Sequence, residues 1–170
     1  MKIAALQMVS TPEVERNLEA AAALVAEAAA AGAALVALPE YFYLMGAETD
    51  KLRIAEPDGG EVPAPQVAPL QAFLARCARQ HALWLIGGTL PIRAEGSARV
   101  RNACCVFAPD GRRAARYDKL HLFAYDNGRE SYDEARVLEP GETPVSLVCA
   151  GLQTGLACAT TCAFPSCTAS

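Results

Sequence analysis

The stretch from Lys2 to Glu40 constrains this chain most, because it spells out one strand, one helix and a second strand in succession. Lys2 to Met8 is a short, mostly apolar run that suits a buried strand. Thr11-Pro12 then offers an N-cap followed by proline at the first helical position, where its missing N–H costs nothing. Val14, Leu18, Ala21 and Val25 recur at helical spacing and form one apolar stripe, with Glu15, Arg16, Glu19 and Glu27 mostly off it. Gly32 is placed to end that helix in the left-handed conformation. Ala34 to Leu38 is a second apolar run, closed by Pro39 and stopping at Glu40. Strand, helix, strand in this order predicts a layered α/β fold.

The remainder continues the pattern. Glu48 to Gln66, rich in proline, glycine and charge, reads as a surface excursion. Leu70, Phe73, Leu74 and Cys77 mark a second amphipathic helix running to His81, and Leu83–Ile86 with Gly87-Gly88 reads as another buried strand. Arg101–Phe107 enters a tight turn at Pro109-Asp110-Gly111 and returns over Arg113–Tyr117. Val145–Cys149 and Leu152–Cys158 predict a hairpin about Ala150-Gly151. At 170 residues with 52% apolar and 20% charged side chains, this is the material of one globular domain. The net charge of -4 argues against nucleic acid as a partner, since such surfaces concentrate basic residues. No apolar run approaches the roughly 20 residues that cross a bilayer, so no membrane partner and a cytoplasmic location are expected. The seven cysteines, odd in number and irregularly spaced, suit reduced thiols, with Cys104 and Cys105 as small core residues.

Three stretches place polar residues directly after buried strands, where α/β proteins tend to hold their sites: Leu38–Phe42, Tyr117–Phe123 and the tail from Gly155. Each alone reads as a surface turn. Together, "LPEYF" at 38–42, "YDKLHLF" at 117–123 and "EARVLEPG" at 134–141 resemble the nitrilase superfamily, the carbon-nitrogen hydrolases, and within it the omega-amidase and deaminated glutathione amidase branch. The resemblance implies an α-β-β-α sandwich, of which residues 1–157 are the N-terminal part. It implies Glu40 as general base, Lys119 as oxyanion stabiliser and Glu134 as a second, substrate-orienting glutamate. The implied reaction is cysteine-dependent hydrolysis of a small linear amide, without cofactor or metal, in a family whose members are often homo-oligomers. Arg129 or Arg136 is a candidate partner for a substrate carboxylate, and His121 reads as structural.

The tail departs from this pattern. The family's third motif runs approximately G-L-x-V-C-Y-D-L-R-F-P-E-L-Y-R, and counting from Gly155 its cysteine falls on Ala159, with Cys158 one residue early. Phe164-Pro165 stays in register. One base deleted from GC-rich codons for V-C-Y-D-L-R yields Cys-Ala-Thr-Thr-Cys-Ala, the residues of 158–163, and one deleted from E-L-Y-R yields the Ser-Cys-Thr-Ala of 166–169. Residues 158–170 are therefore expected to be an aberrant, frame-slipped tail on a truncated and catalytically dead chain. The alternatives are an active amidase using Cys158, or a thiol metal or redox module built from Cys158, Cys162 and Cys167, whose spacing matches no zinc pattern.

Overall fold

The apolar runs become strands, most of them in one six-stranded sheet, and the periodic stretches become helices; the run at 2–8, expected as a buried strand, forms only the four-residue strand Lys2–Ala5, which lies at the sheet edge and is largely exposed. The structure, a computed structural model, describes residues 1–158. The chain runs β1 (Lys2–Ala5), α1 (Val14–Ala30), β2 (Ala33–Ala37), α2 (Glu48–Ile54), α3 (Pro69–His81), β3 (Trp84–Ile86), β4 (Leu90–Arg93), β5 (Val100–Phe107) and β6 (Arg113–Asp118). It closes with β7 (Ala124–Asp126), β8 (Ser131–Asp133), a single 3-10 turn at Glu134–Arg136, β9 (Val145–Cys149) and β10 (Leu152–Leu156). β1, β2 and β3 lie parallel, joined by helical crossovers, and β5 is antiparallel to β3. Along one edge β5 pairs with β4 and then β3, and along the other with β6.

Alternation along the strands decides what each face buries. Val36, Leu85, Cys105 and Phe107 point to the helix side, where they meet Ala21 and Val25 of α1 and Phe73, Leu74 and Cys77 of α3. Leu35, Cys104, Val106 and Tyr117 point the other way and meet Cys149 and Leu156 of the β9–β10 hairpin. The helix-side face is closed, whereas Trp84, Ile86 and Ala115 on the hairpin side are only partly buried. This mixed α/β layering is the one expected, and α1, α3, β2, β3, β5, β6 and the β9–β10 hairpin sit within a residue or two of the predicted spans.

Three further local expectations need correction. The first helix starts at Val14, with Glu13 rather than Thr11 at its N-cap. Asn17 is the cause, because its Oδ1 accepts from the Thr11 N–H at 2.8 Å and hydroxyl at 3.0 Å, holding Thr11 ahead of the helix. Glu48–Gln66 is no loose surface excursion. It contains α2, the buried Lys51 and the buried Glu56, whose carboxylate accepts from the backbone N–H groups of Leu70 and Gln71 and so caps α3 from a distance. The third correction is β4, which escaped notice because Pro91 lies in its middle and proline argues against a strand except near an edge.

Candidate active site

Glu40 leaves the carboxyl end of β2, Lys119 leaves the end of β6, and Glu134 begins the 3-10 turn after β8. Two glycines let these chain segments close on one another. Gly88, after β3, has φ 56°, and a Cβ there would lie 2.1 Å from the Pro39 carbonyl oxygen. Gly141 donates its N–H to the Lys119 carbonyl at 2.8 Å, and a Cβ on it would lie 2.2 Å from the Asp118 oxygen. Neither position admits a larger residue without moving the backbone beside Glu40 or Lys119.

The Lys119 ammonium sits between the two carboxylates. Its Nζ lies 3.1 Å from Glu40 Oε1, 3.1 Å from Glu134 Oε1 and 2.9 Å from Glu134 Oε2. Lys119 and Glu134 are buried, while the Glu40 side chain keeps 24% exposure, which makes it the member that meets solvent. Burial alone would lower the lysine pKa, but the hydrogen bond to Glu134 and the charges of both glutamates outweigh it and hold the ammonium above the ordinary lysine range. Lys119 is therefore a fixed cation at neutral pH.

Asn102, Tyr41 and the Phe123 backbone complete the arrangement. Asn102 Nδ2 donates to Glu40 Oε1 at 2.7 Å, so that oxygen is held by both Asn102 and Lys119, while Oε2 accepts no hydrogen bond from the described residues. The Tyr41 hydroxyl donates to Glu134 Oε1 at 3.1 Å, and the Phe123 N–H donates to Glu134 Oε2 at 2.7 Å. Burial, then the charges of Glu134 and Glu40, push the Tyr41 hydroxyl far above the ordinary tyrosine range, so it remains a donor. Both oxygens of Glu134 are thus bonded, whereas Glu40 has one oxygen beside a fixed cation that no described residue bonds. Such a pair can accept a proton at Glu40 Oε2 and stabilise a negative oxygen near Lys119.

The structure brings Glu40, Lys119 and Glu134 together. Cys158 is buried in the hairpin-side cluster with Cys104, Tyr117 and Cys149. Arg129 lies in the exposed turn between β7 and β8, and Arg136, also exposed, reaches Ser131 Oγ at 3.4 Å. Ala159, Cys162 and Cys167 lie outside the described residues. Sequence reasoning missed Asn102, whose signal was an amide side chain in a strand that is apolar from Ala103 onward, and gave Tyr41 no role. Burial pushes the Cys105 thiol up to about 11 and Cys104 well above its ordinary value, as inert core thiols require.

The sequence profile of the carbon-nitrogen hydrolases matches residues 2–165. The chain belongs to the carbon-nitrogen hydrolase family. Omega-amidase NIT2-A of Xenopus laevis is 34% identical over 143 residues, 84% of this chain and 48% of that protein. The deaminated glutathione amidase of Synechocystis is 33% identical over 144 residues, 83% of this chain and 50% of that protein. The Caenorhabditis elegans NitFhit protein superposes with a TM-score of 0.83 at 25% identity, covering 98% of this chain and 39% of that one. A cysteine-to-alanine mutant of the Nesterenkonia amidase, in complex with butyramide, gives 0.78 at 25% identity, covering 97% and 58%. This carbon-nitrogen hydrolase chain spans about half the length of the curated relatives it matches. Among its described residues, no helix is long and apolar enough to cross a membrane.

Proposed function

We propose that the chain carries the acid–base and electrostatic half of an omega-amidase-like site for small linear amides. The observation that carries this reading is the Lys119 ammonium held 3.1 Å from Glu40 and 2.9 Å from Glu134, with Glu40 Oε2 left open. In the reaction so read, Glu40 Oε2 takes the proton of a thiol, and the thiolate attacks the amide carbon. Lys119 stabilises the oxyanion of the tetrahedral intermediate. Glu40 returns the proton to the leaving nitrogen, ammonia departs, and a water deprotonated by Glu40 cleaves the thioester to acid and free thiol. Glu134 orients the substrate amide and keeps Lys119 charged. The relatives named omega-amidase and the butyramide-bound neighbour support a short aliphatic amide as substrate, with Arg129 or Arg136 proposed as partner for an ω-carboxylate.

The same reading makes residues 1–157 the working part of this domain and residues 158–170 a frame-slipped replacement of the nucleophile motif. With alanine at the aligned position 159, the chain is proposed to lack turnover. The test is ammonia release from butyramide and succinamate, with Glu40→Gln as baseline, beside the rate at which iodoacetamide labels Cys158. The expected result is no ammonia above baseline and a labelling rate indifferent to Glu40→Gln. Glu40-dependent ammonia together with Glu40-dependent labelling would make Cys158 a working nucleophile and overturn the inactivity. Reading the encoding DNA from the Gly151 codon onward tests the frame slip directly, since an unbroken V-C-Y-D-L-R frame restores cysteine at position 159.

A further inference from the structure

Lys51 is a buried lysine that the reaction above does not use. It lies on α2, 5% exposed, with Nζ 2.8 and 2.9 Å from the two oxygens of Glu48. Its ammonium also sits 4.0 Å from the centroid of the Tyr41 ring. Tyr41 is the residue whose hydroxyl holds Glu134. Its backbone is left-handed, with φ 55°, a conformation that a bulky side chain rarely adopts and that costs free energy unless the surroundings enforce it. Two contacts enforce it: the Tyr41 N–H donates to Thr89 Oγ1 at 3.0 Å, and the Lys51 cation covers the ring. Through that one strained turn, Glu40 faces Lys119 while Tyr41 faces Glu134.

The contacts continue into a closed circuit. Glu48 accepts a hydrogen bond from the Tyr132 hydroxyl of β8 at 2.7 Å, and the Tyr132 ring lies 5.8 Å from that of Phe123. Phe123 donates its N–H to Glu134 Oε2 and accepts the Glu134 N–H at 3.0 Å. From Glu134 the path therefore runs to Tyr41, Lys51, Glu48, Tyr132, Phe123 and back to Glu134.

We propose that Lys51 is a positioning residue for Glu134, and that its contacts with Tyr41 and Glu48 fasten α2 to the β7–β8 hairpin as one wall of the site. Its functional meaning rests on the reading that Glu134 serves the amidase site, but the fastening itself does not. Without the cation, Tyr41 loses one of the two contacts that hold its strained backbone, and its hydrogen bond to Glu134 weakens.

Amide hydrogen exchange of Phe123 in the 170-residue chain tests this, because that N–H is held by the Glu134 carboxylate and its exchange needs no turnover. In Lys51→Met, Phe123 is expected to exchange about tenfold faster, while the Leu85 and Val106 amides keep their wild-type rates. Lys51→Arg keeps a cation that stacks on an aromatic ring, and should restore protection. Unchanged Phe123 exchange in a folded Lys51→Met protein overturns the proposal, as does failure of Lys51→Arg to rescue. Where Lys51→Met does not fold, Tyr132→Phe removes only the hydroxyl that reaches Glu48: faster Phe123 exchange with Leu85 unchanged supports the circuit, and unchanged exchange refutes it. Failure here leaves the ammonia assay standing, and failure of that assay leaves this measurement standing.

Discussion

Two ionic clusters meet at the end of β6, and Asp118 and Lys119, consecutive in sequence, belong to different ones. Asp118 joins Arg116, which in turn shares Asp58 with Arg113, at distances of 2.5 to 2.8 Å. That cluster balances two guanidinium groups against two carboxylates, and all four carboxylate oxygens accept a hydrogen bond. The cluster around Lys119 sets one ammonium against two carboxylates, in a more buried setting, and leaves Glu40 Oε2 without a hydrogen bond from the described residues. A balanced, fully bonded cluster on the half-exposed side acts as a strut. The cluster around Lys119, more buried, with surplus negative charge and one carboxylate oxygen that accepts nothing from the described residues, has the arrangement that the proposed acid–base role of Glu40 requires.

The sharpest way to break this contrast is to delete the cation from each cluster. Lys119→Met strands two carboxylates, one of them 4% exposed, and should lower the unfolding free energy by about 3–5 kcal/mol in urea melts at neutral pH. Arg116→Met leaves Asp58 with Arg113 and strands Asp118, but their side chains keep 45% and 23% exposure to solvent, so the loss should be about 1–2 kcal/mol. Equal losses would mean that the two clusters do the same job and that the open oxygen has no significance.

Which parts of this were legible beforehand follows from how far each interaction reaches. α1 and α3 announce themselves through side chains three and four residues apart, and Gly32, at φ 83°, ends α1 as its position implies. Glu40, Lys119 and Glu134 could be picked out because each sits in its own short motif beside a strand or turn. The groups that hold them could not. Asn102 reaches Glu40 across 62 residues, Tyr41 reaches Glu134 across 93, and no local pattern encodes either bond. α2 was hidden for a different reason: it is only seven residues of mostly polar sequence, and the side chain it buries is a lysine, which periodicity counts as surface.

Alkaline pH sharpens the contrast further. Because the folded-state pKa of Lys119 is raised, its contribution to stability is complete below the unfolded lysine value of about 10.4 and is lost as pH rises through the folded value. Arginine does not deprotonate in this range, so the Arg116 cluster has no corresponding loss. The stability gap between wild type and Lys119→Met should therefore narrow above pH about 10.4, while the gap to Arg116→Met stays flat. A gap to Lys119→Met that holds constant there would show the ammonium is not what the two glutamates stabilise.

The smallest expected effect lies at the acid end, where the strut should yield. Burial would raise the Asp58 pKa, but hydrogen bonds from Arg113, the Gly60 N–H and Arg116, with the charge of Arg113, lower it to about 2. The sign is that of a depressed carboxylate: the contribution is present above the unfolded value of about 3.9 and is lost as pH falls through about 2. Asp58→Asn should remove the part of the stability loss that falls in this window, as read from urea midpoints. Since Asp58 is half in solvent, 1 M salt, with a screening length of about 3 Å, should shrink the same difference, whereas the penalty of Lys119→Met should barely respond. An acid-window loss that survives Asp58→Asn would place the protons elsewhere, and a salt response shared by both clusters would erase the difference in burial on which their separate roles depend.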